Sequence, residues 1–305
     1  MTLEQLRIFV AVAQREHVTR AAADLHLTQS AVSAAIGALE ARHATQLFDR
    51  IGRRIALTQA GRLFLIEARA VLARAAAAET ALADLAGLKR GTLVLAASQT
   101  AGNYWLPPLM ARFRAAYPGI TLTLAIGNTE SVAAMVQEGA ADLGFVEGDI
   151  GDSDLAVTTV AEDELLLVAH TAPKSARKAL RADDLKAMRW VFRERGSGTR
   201  AILDTALADL GIALNELDVA LELPSNEAVR NAVEAGAGAA ALSRLVVQDA
   251  IAAGALVALN FKLPKRRFLA LQHKDRTPTR AERALLAMID DKAAPSAPRR
   301  SRGRP

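Results

Sequence analysis

The 305-residue chain has no cysteine at all. That excludes a disulfide framework and any thiolate site, and a reducing, cytoplasmic setting is the expectation. No apolar run approaches the ~20 residues a membrane-spanning helix needs. The first stretch, MTLEQLRIFVAVAQRE, is charged and amphipathic and does not read as a signal peptide. The histidines at 17, 26, 43, 170 and 273 are scattered and lack metal-ligand spacing, so no metal is implied. No serine stands in a nucleophile elbow. GSGT (196–199) lacks the spacing and lysine of a nucleotide phosphate loop, and GAGAAA (236–241) is only a fragment of a dinucleotide fingerprint. No cofactor and no catalytic constellation is predicted, which weighs against a two-domain metabolic enzyme.

What is present suits two or three domains with real cores. Hydrophobic residues make up 51% and charged residues 23%, and much of the apolar content is alanine, which points to helices. The net charge is only +5, and the tail contributes much of it through Lys292, Arg299, Arg300, Arg302 and Arg304. High basicity alone is therefore weak evidence for nucleic acid.

Residues 18–42, VTRAAADLHLTQSAVSAAIGALEAR, predict two short helices and a tight turn. Val18, Ala21, Ala22 and Leu25 recur at helical spacing, as do Val32, Ile36 and Leu39. Thr28 is placed to N-cap the second helix. Gln29, Ser30, Ser33 and Gly37 then point outward as a short, polar, uncharged stripe suited to base edges in a major groove. An ordinary helical hairpin with a solvated side reads almost the same. The following LFDRIGRRIALT predicts two extended runs around Gly52, a β-wing carrying Arg50, Arg53 and Arg54.

Before this pair, Thr2 and Gln5 form a capping box for a helix with a buried stripe of Leu3, Leu6, Phe9, Val10 and Ala13. After it, Thr58 caps a helix over roughly 59–86 that would span about 40 Å. Leu63, Ile66, Ala70, Ala73 and Ala77 lie on it at heptad-like spacing. That face favours a dimer-forming linker over packing on its own chain. From 91 onward strand runs alternate with helices: 92–98, 121–126, 141–147, 164–170, 190–194, 219–223 and 238–243, then LVALN and FLALQH, and a last helix over 281–290. The alternation predicts parallel sheets covered by helices, in two subdomains facing one cleft. APSAPRRSRGRP has no apolar face and reads as a disordered basic tail.

LEQLRIFVAVAQREHVTRAAADLHLTQSAVSAAIGALE and LFDRIGRRIALTQAG closely resemble the DNA-binding half of LysR-type transcriptional regulators. The remainder resembles that family's effector domain, with its type-2 periplasmic-binding-protein fold. ASQTAGNYWLP, IGNTE, DLGFVEGD, RERGSGTR and EAGAGAAALSRLVVQ look like the branch containing regulators of sulfite reductase and, more distantly, of carbon fixation. The resemblance implies an N-terminal all-α winged helix-turn-helix (1–58), a linker helix (59–90), an α/β effector domain (91–292) and a tail (293–305). Within the effector domain, 91–162 with 268–292 and 163–267 would form the two subdomains. It also implies a homotetramer on double-stranded promoter DNA whose pose a metabolite adjusts. Carried over by position, base readers fall on Gln29, Ser30 and Ser33, and backbone contacts on Thr28, Arg50, Arg53 and Arg54. Two departures stand out. His43-Ala44 replaces the family's usual Leu-Gly, which makes a left-handed turn there costlier, and Trp105 stands where an aliphatic residue is more usual.

Strand ends that run into helix N-termini make anion sites. Ser98, Gln99, Thr100, Asn128 and Thr129 hold such positions in one half. Arg195, Ser197, Thr199, Ser225 and Asn226 hold them in the other. Each caps a helix whether or not a ligand binds, but together they predict a cleft for a small anionic metabolite, such as a sulfur oxyanion or carboxylate. A plain solute-binding protein without DNA function is the alternative.

Overall fold

The computed structural model describes residues 1–51, 54–85, 91–148, 150, 154–171 and 179–293. The chain divides into two compact units, residues 1–87 together with 137–140, and the remainder.

The first unit runs α1 (Leu3–Arg15), α2 (Val18–Asp24), α3 (Gln29–His43), β1 (Phe48–Ile51), β2 (Arg54–Leu57) and α4 (Gln59–Leu85). Thr2 and Gln5 form the predicted capping box on α1. The buried face of α1 starts one turn later than predicted. Leu3 stands exposed at the helix start, whereas Leu6, Ile8, Phe9, Val12 and Ala13 are buried. Phe9 meets Phe48 at 5.4 Å and Phe64 of α4 at 4.8 Å, so one aromatic ties the first helix to the hairpin and to the long helix. Thr58 accepts from the Gly61 N–H at the start of α4. The predicted end of that helix at 86–87 lies outside the described residues.

The second unit contains β3 (Gly91–Ser98), a π-helical turn (Ala101–Trp105), α5 (Leu106–Ala116), β4 (Ile120–Gly127), α6 (Thr129–Gln137), β5 (Leu143–Glu147), β6 (Leu155–Asp163), β7 (Leu165–Ala169), α7 (Ala182–Lys186), β8 (Arg189–Arg193), α8 (Gly198–Asp209), β9 (Asp218–Leu223), α9 (Asn226–Glu234), β10 (Ala240–Ser243), α10 (Arg244–Ala252), β11 (Val257–Lys262), β12 (Arg266–His273) and α11 (Arg280–Ala293). Its sheets are mixed, not purely parallel. In the order β4-β3-β5-β12-β6, β3 runs parallel to β4 and β5, while β12 is antiparallel to β5 and β6. The second sheet places β7 antiparallel between β10 and β11. The parallel pair β8–β9 joins it through a Trp190–Ala239 bridge. The antiparallel partners arise because the chain leaves the first subdomain along β6 and returns along β12. Each subdomain has its own core. Phe113, Phe145 and Phe268 fill the first, and Trp190, Phe192 and Leu207 the second.

Candidate functional site

In the first unit, Ala21 and Ala22 are buried where α2 and α3 cross. His26 takes a left-handed φ of 54° in the turn between them. Thr28 caps α3, accepting from the Ala31 N–H at 3.2 Å, and shares a hydrogen bond with Ser30 at 3.0 Å. Val32, Ile36 and Leu39 face inward, which leaves Gln29, Ser30, Ser33 and Gly37 exposed along one face. The α3 helix ends at Ala44 in the left-handed conformation that the departure from Gly made costly, with φ 47° and ψ 37°, and His43 is exposed. The Thr45 N–H reaches the Glu40 carbonyl and the Ala44 N–H reaches that of Ala41, so the turn closes despite the side chain. Sequence reasoning missed Glu40. Its carboxylate accepts from the Leu47 and Phe48 N–H groups at 2.7 and 3.2 Å, which ties the hairpin to α3. In the hairpin, Arg50 pairs with Ile55 and Ile51 with Arg54. Arg53 lies outside the described residues.

In the second unit, most of the predicted ligand residues meet along one seam between the subdomains. Asn226, at the start of α9, links three partners. Its N–H donates to Gln99 at 2.9 Å, its side-chain amide donates to Thr100 at 3.0 Å, and its carbonyl oxygen accepts from Arg193. Gln99 donates to the Pro224 carbonyl at 2.7 Å. Ser98 donates to Glu147, and Thr129 donates to the Glu147 carbonyl at 2.7 Å. Gly198 packs so closely on Glu147 and Thr129 that any Cβ there would collide with the Glu147 carbonyl. Asn128 and Ser225 serve as caps, accepting from the Ser131 and Ala228 N–H groups at 2.9 and 3.0 Å.

Arg195 does not join them. It lies in the turn after β8, where Gly196 has φ +82°, and its side chain is exposed. Among the described residues of the second unit, three arginines are buried: Arg200, which is held by Asp204 and Glu222, and two that the sequence does not single out, Arg193 and Arg266. Arg193, the last residue of β8, holds Glu194 through two bonds of 2.7 and 2.9 Å. Arg266, 3% exposed, reaches Asp163 at 2.5 Å, Thr199 at 2.9 Å, and Glu147 and Thr100 at 3.3 Å. Also across the seam, the half-buried Tyr104 donates to Glu227 at 3.0 Å. Burial first, then that carboxylate, pushes the phenol above its ordinary range.

The three helix starts at the seam differ. At α9, Gln99 and Ser225 cap the N–H groups. At α6, Asn128 and the Gly196 carbonyl do so. At α8, Ser197 is buried yet makes no side-chain cap bond. A buried hydroxyl at the start of a 12-residue helix that has no side-chain cap, with the guanidinium groups of Arg193 and Arg266 in the same seam, suits a small oxyanion.

A helix-turn-helix with a wing, followed by a two-subdomain α/β unit closed over a polar seam, defines a ligand-responsive DNA-binding protein. Residues 3–62 match the family model "Bacterial regulatory helix-turn-helix protein, lysR family", and residues 86–294 match "LysR substrate binding domain". The chain belongs to the LysR family of transcriptional regulators. It is 36% identical over 297 residues to "Uncharacterized HTH-type transcriptional regulator YeiE" of Escherichia coli K12, covering 97% of this chain and 99% of that one. It is 36% identical over 259 residues to the "Probable RuBisCO transcriptional regulator" of Cyanophora paradoxa, covering 84% and 80%. The solved regulatory domain of Synechocystis PCC6803 CcmR, in complex with 2-PG, superposes with a TM-score of 0.62 at 26% identity. It covers 68% of this chain and 99% of that one. The match over residues 3–62 sets aside a solute-binding protein without DNA function.

Proposed function

We propose that this regulator reads promoter DNA through Gln29, Ser30 and Ser33, with Thr28, Arg50, Arg53 and Arg54 on the backbone. A small anionic metabolite seats at the start of α8, against Ser197 and among Ser98, Thr100, Thr129, Thr199 and Asn226. Arg193 replaces Arg195 as the nearby cation. The start of α8 carries this reading: among the described residues no side chain caps it, whereas protein groups already cap the other two helix starts at the seam. The CcmR regulatory domain, solved in complex with 2-PG, supports a small ligand for such a unit.

On the same reading the protein has no enzymatic activity and acts in the cytoplasm. No helix among the described residues is long and apolar enough to cross a membrane. It assembles as a dimer through α4, where Leu63 and Ile66 are 63% and 48% exposed, and further as a tetramer. The Cyanophora relative and the resemblance to sulfite-reductase regulators favour a regulon in carbon or sulfur assimilation.

Calorimetric titration with sulfite, sulfate, 2-PG and small carboxylates tests the ligand class. The expected result is saturable binding of one anion, weakened at least tenfold in Ser197→Ala. Binding only of neutral or cationic compounds overturns it. For the DNA face, Ser33→Arg is expected to alter promoter discrimination while leaving anion affinity unchanged, and an unchanged footprint overturns that assignment.

A further inference from the structure

We propose that the hinge of the second unit holds a second ligand site, separate from the seam. Its ligand is a small amphipathic monocarboxylate with an aliphatic or aromatic body. A cavity of about 540 Å³ lies where the chain passes twice between the subdomains, at the β6–β7 junction and at the β11–β12 junction. That volume is within the roughly 300–1,000 Å³ range of small-molecule sites.

The walls divide by chemistry. Trp105, Leu245, Phe261, Leu263 and Phe268 supply apolar surface. Trp105 is half-buried, stacks on Phe268 at 5.3 Å and 28°, and meets Phe145 at 5.6 Å. A half-buried indole that stacks on an aromatic neighbour and lines the cavity is a platform for an apolar body.

Six charged side chains also line the cavity. Glu164 pairs with Arg244 at 2.6 Å, and Glu162 with Lys265 at 3.8 Å. Asp163 is taken by Arg266 at 2.5 Å and by Ser243 at 2.7 Å. Lys262 is exposed and, among the described residues, has neither an ion pair nor a side-chain hydrogen bond, so it is the one cation lining the cavity that is left to meet a ligand. The ligand that completes this set brings one negative charge on an apolar stem.

The place of the cavity gives its occupancy a consequence. Asp163 faces it on one side, and on the other side Arg266 extends to Thr100 and Thr199 in the seam. Trp105 ends the π-helical turn that follows Thr100, and Tyr104 in the same turn holds Glu227 across the seam. A ligand against Trp105 and Asp163 therefore touches two elements that also build the anion site. The two sites are linked through these shared elements, and occupancy of one shifts affinity at the other.

The test uses the full-length protein. Trp105 and Trp190 are its only tryptophans, and Trp190 is fully buried in the second subdomain. In Trp190→Phe, tryptophan emission reports Trp105 alone. Titration with octanoate and with 3-phenylpropionate is expected to give a saturable change in emission. The tighter of the two tells an aliphatic from an aromatic body. Octanol and 3-phenylpropionamide, which lack the charge, are expected to bind at least tenfold more weakly. Lys262→Gln is expected to remove that preference, while Ser197→Ala leaves hinge binding unchanged. Calorimetry on the unsubstituted protein with the same four compounds gives a readout independent of the Trp190 replacement. No saturable binding of either acid at millimolar concentration overturns the proposal. So does a charge preference that survives Lys262→Gln, or binding lost in Ser197→Ala but kept in Lys262→Gln.

Discussion

Arg266 is a buried charge whose partners come from four distant places in the chain. It answers Glu147 and Asp163, which are themselves buried, and bonds to Thr100 and Thr199. Such a pair contributes little net stability while intact, but breaking it strands charge in a low dielectric. Arg266→Gln is therefore expected to cost the second unit about 3–5 kcal/mol, the usual penalty for removing one member of a buried pair. Urea unfolding checks this, and a midpoint close to that of the parent would show that water already reaches the carboxylates. Asp142 makes a different prediction. Burial raises its carboxyl above the ordinary carboxylate range, against the opposing Val94 N–H and the charge of Arg276. A raised acid keeps its proton in the folded state after the unfolded chain has lost it. Stability from this group is thus greatest below the ordinary range, and it falls as pH rises to the raised value. Asp142→Asn keeps an acceptor for Val94 and cannot ionise. Its stability relative to the parent is expected to grow with pH across that window and then level off. Unfolding midpoints from mildly acidic to neutral pH measure the difference, and parallel curves would refute the assignment.

At the scale of elements, local chemistry was legible and long-range pairing was not. Thr2 with Gln5, Thr28 and Thr58 mark helix starts because a cap acts within three residues. The apolar stripe of α3 could be read for the same reason. β6 went unread because LAVTTVAED has no clean alternation. It is an edge strand, exposed over most of its length and paired only with β12, more than 100 residues later. α10 was hidden by its adjacent valines, which read as readily in a strand. Arg193 and Arg195 stand two residues apart, and only the backbone shows that Arg193 ends the strand facing inward while Arg195 is exposed. Arg266 carried no local signal, since nothing near it in sequence explains it. The α3 C-terminus yields the prediction at this scale. Ala44 holds a left-handed conformation that costs a non-glycine residue roughly 1 kcal/mol. Ala44→Gly is expected to stabilise that helix end by about 0.5–1 kcal/mol, since part of the gain is lost to the freer unfolded chain. Hydrogen exchange of the last amides of α3 reads it directly, and slower exchange is the expected sign.

For the whole molecule, ligand and DNA are bound by different units, and thermodynamics ties them whatever path connects them. If a seam anion changes operator affinity by some factor, the operator changes anion affinity by the same factor. A tenfold effect corresponds to about 1.4 kcal/mol of coupling, which is ordinary for such regulators in magnitude. The measurement needs four dissociation constants: anion with and without operator, and operator with and without anion. Ser33→Arg is expected to weaken both operator constants while leaving the anion constant of the DNA-free protein unchanged, because Ser33 is exposed on α3 in the first unit. Ser197→Ala is expected to do the converse, weakening the anion and leaving the anion-free operator constant alone. A common ratio different from one in the parent, with these two opposite losses in the variants, is what a ligand-responsive regulator requires. If the ratios in the parent are both one for every anion that binds, the seam holds a ligand without using it to control DNA, and the regulatory input must enter elsewhere. The hinge cavity is then the first place to repeat the same four measurements, with octanoate and 3-phenylpropionate in place of the anion.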